Sequence, residues 1–302
     1  MSDVTQLIHQ YLRHNKKFPH VFCPGCGHGI ALGSLIRAVH GLSLSKDEVV
    51  VVAGIGCSGR IAVYVDFNTV HTTHGRALTF ATGIKMASPK LKVICIMGDG
   101  DALAIGGNHL IHAARRNIGI AALVLNNNIY GMTGGQTSPT TPGGARTATS
   151  PYGALEKPFD LVDLARAAGA NYVARGTVFQ AHLLDRLISS AIERPGFNLV
   201  EVLTPCHTQY GRKNKFKNPV DMYQALKHAA VPREAWEHFS EAERKERIPV
   251  GVFVERDEPG LEERYRVMQA ALLARPKARE ALPEPNGHDP ASTKAKLEGV
   301  ES

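Results

Sequence analysis

The chain has 302 residues, 43% hydrophobic and 21% charged, which predicts an ordinary globular protein with one sizeable core. A net charge of +7 and a pI near 9.2 would suit nucleic acid. No nucleic-acid motif accompanies them and aromatics make up only 6%, so an acidic protein partner is the expectation. No apolar run approaches the roughly 20 residues that span a bilayer, and MSDVTQLIHQYLRHNKK lacks a signal-peptide core, which predicts a cytoplasmic protein without membrane contact.

Residues 1–20 read as a short amphipathic helix with a basic lead-in. Phe22-Cys23-Pro24-Gly25-Cys26-Gly27-His28-Gly29 is a tight turn bearing two thiols, and a helix is predicted from about Ile30 to His40. Val49–Ala53 reads as a buried strand, closed by the turn Gly54-Ile55-Gly56-Cys57-Ser58-Gly59-Arg60. Thr72-Thr73-His74-Gly75-Arg76 leads into a small-residue helix ending near Ala87.

Leu91–Met97 is the next apolar strand, followed by Gly98-Asp99-Gly100-Asp101 and a helix to about Asn117. A further strand, Ile120–Leu125, ends at Asn126-Asn127-Asn128. A strand–helix–strand connection of this length makes the two strands parallel neighbours, so both polar clusters fall at the carboxyl ends of adjacent strands. The Asp99 carboxylate and the Asn127 amide oxygen are hard ligands suited to Mg2+ or Ca2+. Gly98 and Gly100 admit close approach of a ligand to the backbone, and the amino end of the following helix favours a diphosphate.

The Gly/Thr/Pro segment from Thr133 to Tyr152 is too long for a plain connection and reads as a functional lid or wall. Helices near Leu161–Ala168 and Gln180–Glu193 alternate with strands at Tyr172–Ala174 and Phe197–Leu203, the last running into Thr204-Pro205-Cys206-His207. From residue 219 the composition changes. Val231–Ile248 reads as charged and helical, Val250–Glu255 as an edge strand, Glu262–Leu273 as a helix, and residues 275–302 as a disordered tail. The expected division is therefore a domain over 1–218 and an extension over 219–302.

Five cysteines, an odd count, argue against a disulfide framework. Cys23, Cys26, Cys57 and Cys206 all occupy turns, whereas Cys95 sits inside a strand as a core thiol. Four converging thiolates fit an iron–sulfur cluster or structural zinc, and spacing does not choose between them. His71-x-x-His74 and His109-x-x-His112 lack the glutamate of a zincin motif. His71 and His112 are read as surface or packing residues, and His109 as a helix-packing residue.

Gly98-Asp99-Gly100 followed 28 positions after Asp99 by Asn127 resembles the diphosphate motif of thiamine diphosphate (TPP) enzymes. That resemblance implies that Asp99, the Asn127 side chain and the Ile129 carbonyl hold Mg2+. Taken together, CPGCGHG, GIGCSGR, HGRA, GDGD, GGNH, NNNIYGMTGGQ, TPC and GVFVERDEPGLEERY resemble the β subunits of 2-oxoacid:ferredoxin oxidoreductases. The resemblance implies a doubly wound α/β TPP-binding fold, a mostly parallel sheet with helices on both faces, plus a C-terminal extension. It implies one 4Fe–4S cluster on Cys23, Cys26, Cys57 and Cys206. Gly56, Ser58, Gly100, Asp101, Gly131 and Thr133 would line the cofactor pocket, with His74 contacting TPP and Gln136 a weaker candidate.

The activity implied is TPP-dependent, reversible decarboxylation of a 2-oxoacid, with electrons passing to ferredoxin and the acyl group to coenzyme A. An α subunit would supply the glutamate that activates TPP, in a pair of αβ units. Between Val4 and Lys46 there is no acidic residue, and Arg13, Lys16 and Lys17 precede Cys23 as Arg212, Lys213, Lys215 and Lys217 follow Cys206. Both stretches are candidate ferredoxin contacts. Arg60, three residues past Cys57, can reach over the thiazolium, where a buried guanidinium needs an anionic partner. The distal carboxylate of 2-oxoglutarate offers one, with succinyl-CoA as product, whereas pyruvate does not. Tyr130-Gly131-Met132-Thr133 also resembles the 2-oxoglutarate branch more than the pyruvate branch.

Overall fold

Four valines and an alanine, all buried, make Val49–Ala53 an interior strand (β1) that must be covered on both faces. The computed structural model describes residues 7, 10–15 and 20–274. The expected amino-terminal helix lies mainly outside these residues, and the expected disordered tail lies wholly outside them. The other strands are β2 (Asn68–His71), β3 (Lys92–Gly98), β4 (Ile120–Asn126), β5 (Ile129–Tyr130), β6 (Gln136–Thr137), β7 (Tyr172–Thr177), β8 (Phe197–Leu203), β9 (Ala230–Pro232) and β10 (Ile248–Glu255).

Eight of these form one sheet in the order β2-β1-β3-β4-β8-β7-β10-β9, while β5 and β6 pair as a small hairpin. All neighbours in the large sheet are parallel except β7 and β10. Gly98 is level with Leu125 and Asn126 with Leu203, so β3, β4 and β8 release their chains side by side at one edge.

Helices α1 (His28–Gly41), α2 (Ala77–Ala87), α3 (Gly107–Arg116), α4 (Leu161–Ala167) and α5 (Ala181–Glu193) cover both faces. Alternate strand residues separate two cores. Val51, Ile94, Leu123 and Val200 pack with Leu35, Ile36 and Leu184 of α1 and α5. Val52, Cys95, Val124 and Leu199 pack with Leu78, Leu110 and Leu161 of α2, α3 and α4. This is the doubly wound, mostly parallel architecture expected.

The segment after residue 218 differs from expectation. A helix, α6 (Pro219–Ala229), precedes β9, and Val231–Ile248 holds two single-turn helices, Arg233–Trp236 and Glu241–Arg244, rather than a continuous one. β10 pairs with β7 through Gly251–Glu255 and with β9 only through Ile248–Val250, so most of the stretch expected as an edge strand has a strand neighbour on one side, while its first residues take up β9. The described residues up to 264 belong to one compact unit, and the boundary expected at 218/219 falls inside it. Helix α7 spans Leu261–Ala274. Among the described residues no helix is long and apolar enough to cross a membrane.

Candidate functional site

Asp99 leaves β3 directly into helix, through a wide turn at Asp101–Ile105 and on into α3. Its carboxylate is 3% exposed. Ser138 and Thr140, carried back by the long loop after β5, donate to its Oδ2 at 2.6 and 2.7 Å. Burial pushes the Asp99 carboxyl up to about 6, against the opposing pull of those two hydroxyls. A dication beside the carboxylate would offset that desolvation.

Asn127 follows β4, and its side-chain oxygen accepts from the Ile129 amide at 3.3 Å. Asn128 holds a left-handed φ of 61°, which turns the chain back toward Asp99. A buried chain of polar groups props this turn. Asn126 Oδ1 accepts from the Asn128 amide and lies 2.9 Å from Thr140 Oγ1, while Asn126 Nδ2 donates to Glu201 at 2.7 Å. Glu201 in turn accepts from Arg175 at 2.5 Å, and Arg175 also reaches Asp160.

A cavity of about 90 Å3 opens at this sheet edge, lined by Gly56, Ser58, His74, Asp99, Gly100, Asp101, Asn127, Ile129, Gly131 and Thr133, together with Tyr130 and His28. Every oxygen-site and TPP-pocket residue expected from the sequence lines it except the weaker candidate Gln136. Ser58 Oγ and Asp101 Oδ2 are buried without a hydrogen-bond partner, so the pocket holds polar groups still to be satisfied. Asp101 Oδ1 accepts from the Gly75 amide at 2.7 Å and bonds His74 Nδ1. Asp101 thus orients His74 as well as lining the cavity. Thr133 bonds Gln136 on the exposed side of the loop.

An adjoining cavity of about 320 Å3 is lined by all four turn cysteines, Cys23, Cys26, Cys57 and Cys206, and by Arg60. A side chain at Gly131 would begin 3.4 Å from Cys206 Sγ and 3.7 Å from Cys57 Sγ. Burial pushes the Cys26 thiol up to about 12 and the Cys57 thiol to about 11, with the neighbouring cysteines adding to both. Among the described residues no three His, Cys, Asp or Glu side chains converge tightly enough for one metal ion. His28, Cys57, Asn127, Gly131 and Met132 belong to the walls of both cavities.

Arg60 stands on the thiol side of that wall, not in the smaller cavity over which it was expected; its amide donates to the Cys57 carbonyl at 3.2 Å, and its guanidinium makes no hydrogen bond or ion pair among the described residues. Cys95 is fully buried within β3, away from the other four. His109, read as a helix-packing residue, meets the Arg76 guanidinium at the start of α2. Ser138, Thr140, Tyr130 and His28 were not singled out by sequence. The first two were signalled only by the hydroxyl density of the long loop, and His28 only by its place in CPGCGHG.

Residues 54–202 match the family model of the thiamine pyrophosphate enzyme C-terminal TPP binding domain. The chain is 57% identical to 2-oxoglutarate synthase subunit KorB of Archaeoglobus fulgidus, over 72% of this chain and 79% of the relative. It is 47% identical to the subunit of the same name from Methanothermobacter thermautotrophicus, over 83% and 88%. Among solved structures, the 2-oxoglutarate:ferredoxin oxidoreductase from Magnetococcus marinus, with 2-oxoglutarate, coenzyme A and succinyl-CoA bound, matches with a TM-score of 0.78. Its identity is 29%, over 98% of this chain and 96% of that one. Identity at this level over most of both chains makes this chain a member of the 2-oxoglutarate synthase subunit KorB family.

Proposed function

We propose that the chain is the β subunit of a CoA-dependent 2-oxoglutarate:ferredoxin oxidoreductase, converting 2-oxoglutarate reversibly to succinyl-CoA and CO2. The observation that carries this reading is the shared wall: a diphosphate-type pocket and a thiol-lined cavity are back to back, one residue apart. A TPP enzyme without redox chemistry has no use for the second cavity. Four thiols lining one cavity offer the ligand set of a 4Fe–4S cluster beside the proposed TPP site.

Asp99, Asn127 and the Ile129 carbonyl would hold Mg2+, and Ser58, Gly56 and Gly100 the diphosphate. When bound, TPP supplies the electron sink for decarboxylation and the cluster a one-electron relay to ferredoxin. His74, fixed by Asp101 at Nδ1, keeps Nε2 available to the cofactor. Tyr130 donates to the Gly100 carbonyl at 3.2 Å and closes the pocket from the loop side. Arg60, whose guanidinium has no partner among the described residues, would grip the distal carboxylate of 2-oxoglutarate.

No glutamate lines the smaller cavity, in keeping with an α subunit that supplies the activating carboxylate. Tyr152 and Leu155, 98% and 99% exposed on the long loop, are suited to that partner. The test is anaerobic assay of the co-purified α and β chains with 2-oxoglutarate, pyruvate and 2-oxobutyrate. Succinyl-CoA formation with ferredoxin reduction, in protein showing iron–sulfur absorbance, is the expected result. CoA-independent decarboxylation by iron-free protein would overturn the reading.

A further inference from the structure

His28 lies in both cavity walls, and neither the Mg2+ site nor the cysteine set uses it. It opens α1, is 1% exposed, and its Nδ1 lies 3.1 Å from Cys26 Sγ. Its position is over-determined. The Cys26 amide donates to the Cys23 carbonyl at 2.9 Å, fixing the turn before it. At Gly27 a Cβ would fall 2.3 Å from Thr204 Oγ1 and 2.7 Å from Val178 Cγ2, so the start of α1 is pressed against the ends of β7 and β8. The Phe22 ring packs on the imidazole, centroids 5.5 Å apart. A contact held from three sides is a built one.

We propose, resting on the cluster reading above, that His28 is a positioning residue for electron transfer: its Nδ1–H donates to Cys26 Sγ and raises the reduction potential of the cluster. A thiolate bound to iron carries no proton, so in the loaded protein the imidazole is the only donor of the pair. An electron added to the cluster is shared with its sulfurs, and an N–H···S bond stabilises the reduced form more than the oxidised one. Burial keeps water from screening that difference. One electron enters and one leaves; no bond at His28 forms or breaks, and its proton stays on Nδ1.

The test uses anaerobic αβ holoenzyme carrying His28→Leu or His28→Gln, with iron content and an EPR-monitored reductive titration as readouts. His28→Leu keeps its iron and shifts the reduction equilibrium against the reduced cluster by roughly tenfold, about 59 mV for one electron. His28→Gln, whose amide restores an N–H donor, stays near wild type. A wild-type potential in an iron-replete Leu variant, or equal shifts in both variants, overturns the proposal. Wild-type protein gives an answer that needs no variant to fold: pulsed EPR of the reduced cluster shows a histidine nitrogen coupling that changes with 15N-histidine. Absence of that coupling overturns it too. Iron-free wild-type holoenzyme would be a separate failure, of the cluster reading itself.

Discussion

Asp99 and Asn127 reach their places through a single strand–helix–strand unit, whereas the four thiols come from turns scattered between residues 23 and 206. The oxygen site is propped by its own protein: Ser138, Thr140 and the chain from Asn126 through Glu201 to Arg175 hold it in shape. At the thiol cavity the turn bearing Cys23 and Cys26 is held in place, but the charge of its thiols is not set by the protein. Cys26 and Cys57 are pushed away from ionising by burial and by the neighbouring cysteines, so a bound cationic group is what makes their thiolates favourable there. One site is prepared before its ligand arrives. The other depends on its ligand for its charge state.

That contrast breaks most visibly at the cysteines. Cys57→Ser or Cys206→Ser is expected to lose or convert the cluster and abolish ferredoxin reduction, while TPP still binds by calorimetry. Cys95→Ser, inside β3, is expected to keep full iron content and lower stability by about 1–3 kcal/mol in denaturant titration, the cost of a buried hydroxyl. Iron loss from the Cys95 variant would undo the ligand assignment. Next in size, Asp99→Ala removes the one full charge among the oxygen ligands and should weaken TPP–Mg2+ binding by more than about 100-fold. Iron content should not change. Wild-type TPP affinity in that variant would place the metal elsewhere.

Arg60, on the thiol side, tests whether that side also reads substrate. Arg60→Met should lower kcat/KM for 2-oxoglutarate by roughly 10- to 1000-fold, about 1.4–4 kcal/mol, and affect pyruvate far less. Equal losses for both acids would show that Arg60 does not contact the distal carboxylate. The smallest effect concerns the exposed Arg212, Lys215 and Lys217 beyond Cys206. Apparent affinity for an acidic ferredoxin should fall with salt and fall less steeply once these are neutralised. A salt-independent ferredoxin rate would remove them from the docking surface.

The sheet core was legible because apolar runs of strand length carry their own boundaries: Val49–Ala53 and Phe197–Leu203 were read to the residue. Parallel pairing of β3 and β4 followed from the length of their connection, and with it the meeting of Asp99 and Asn127. What escaped reading depends on contacts distant in sequence. β10 pairs antiparallel with β7, and its first residues, Ile248–Val250, take up β9, a pairing no local pattern signals. Glu201 lies inside a strand read from its apolar residues and Arg175 just past another, and nothing local pairs the two. Ser138 and Thr140 belong to a loop whose return onto Asp99, about 40 residues away in the chain, no local pattern specifies.

The scatter of the thiols along the chain also has a consequence for the order of biosynthesis. Cys206 leaves the ribosome about 180 residues after Cys26, a delay of roughly 10–40 s at 5–20 residues per second. It takes its place only once β8 has docked between β4 and β7. Until then the nascent chain offers an incomplete ligand set. Loading of the cluster proposed above would therefore follow sheet closure, and a chain stalled before β8 would leave its metal undelivered rather than misplaced.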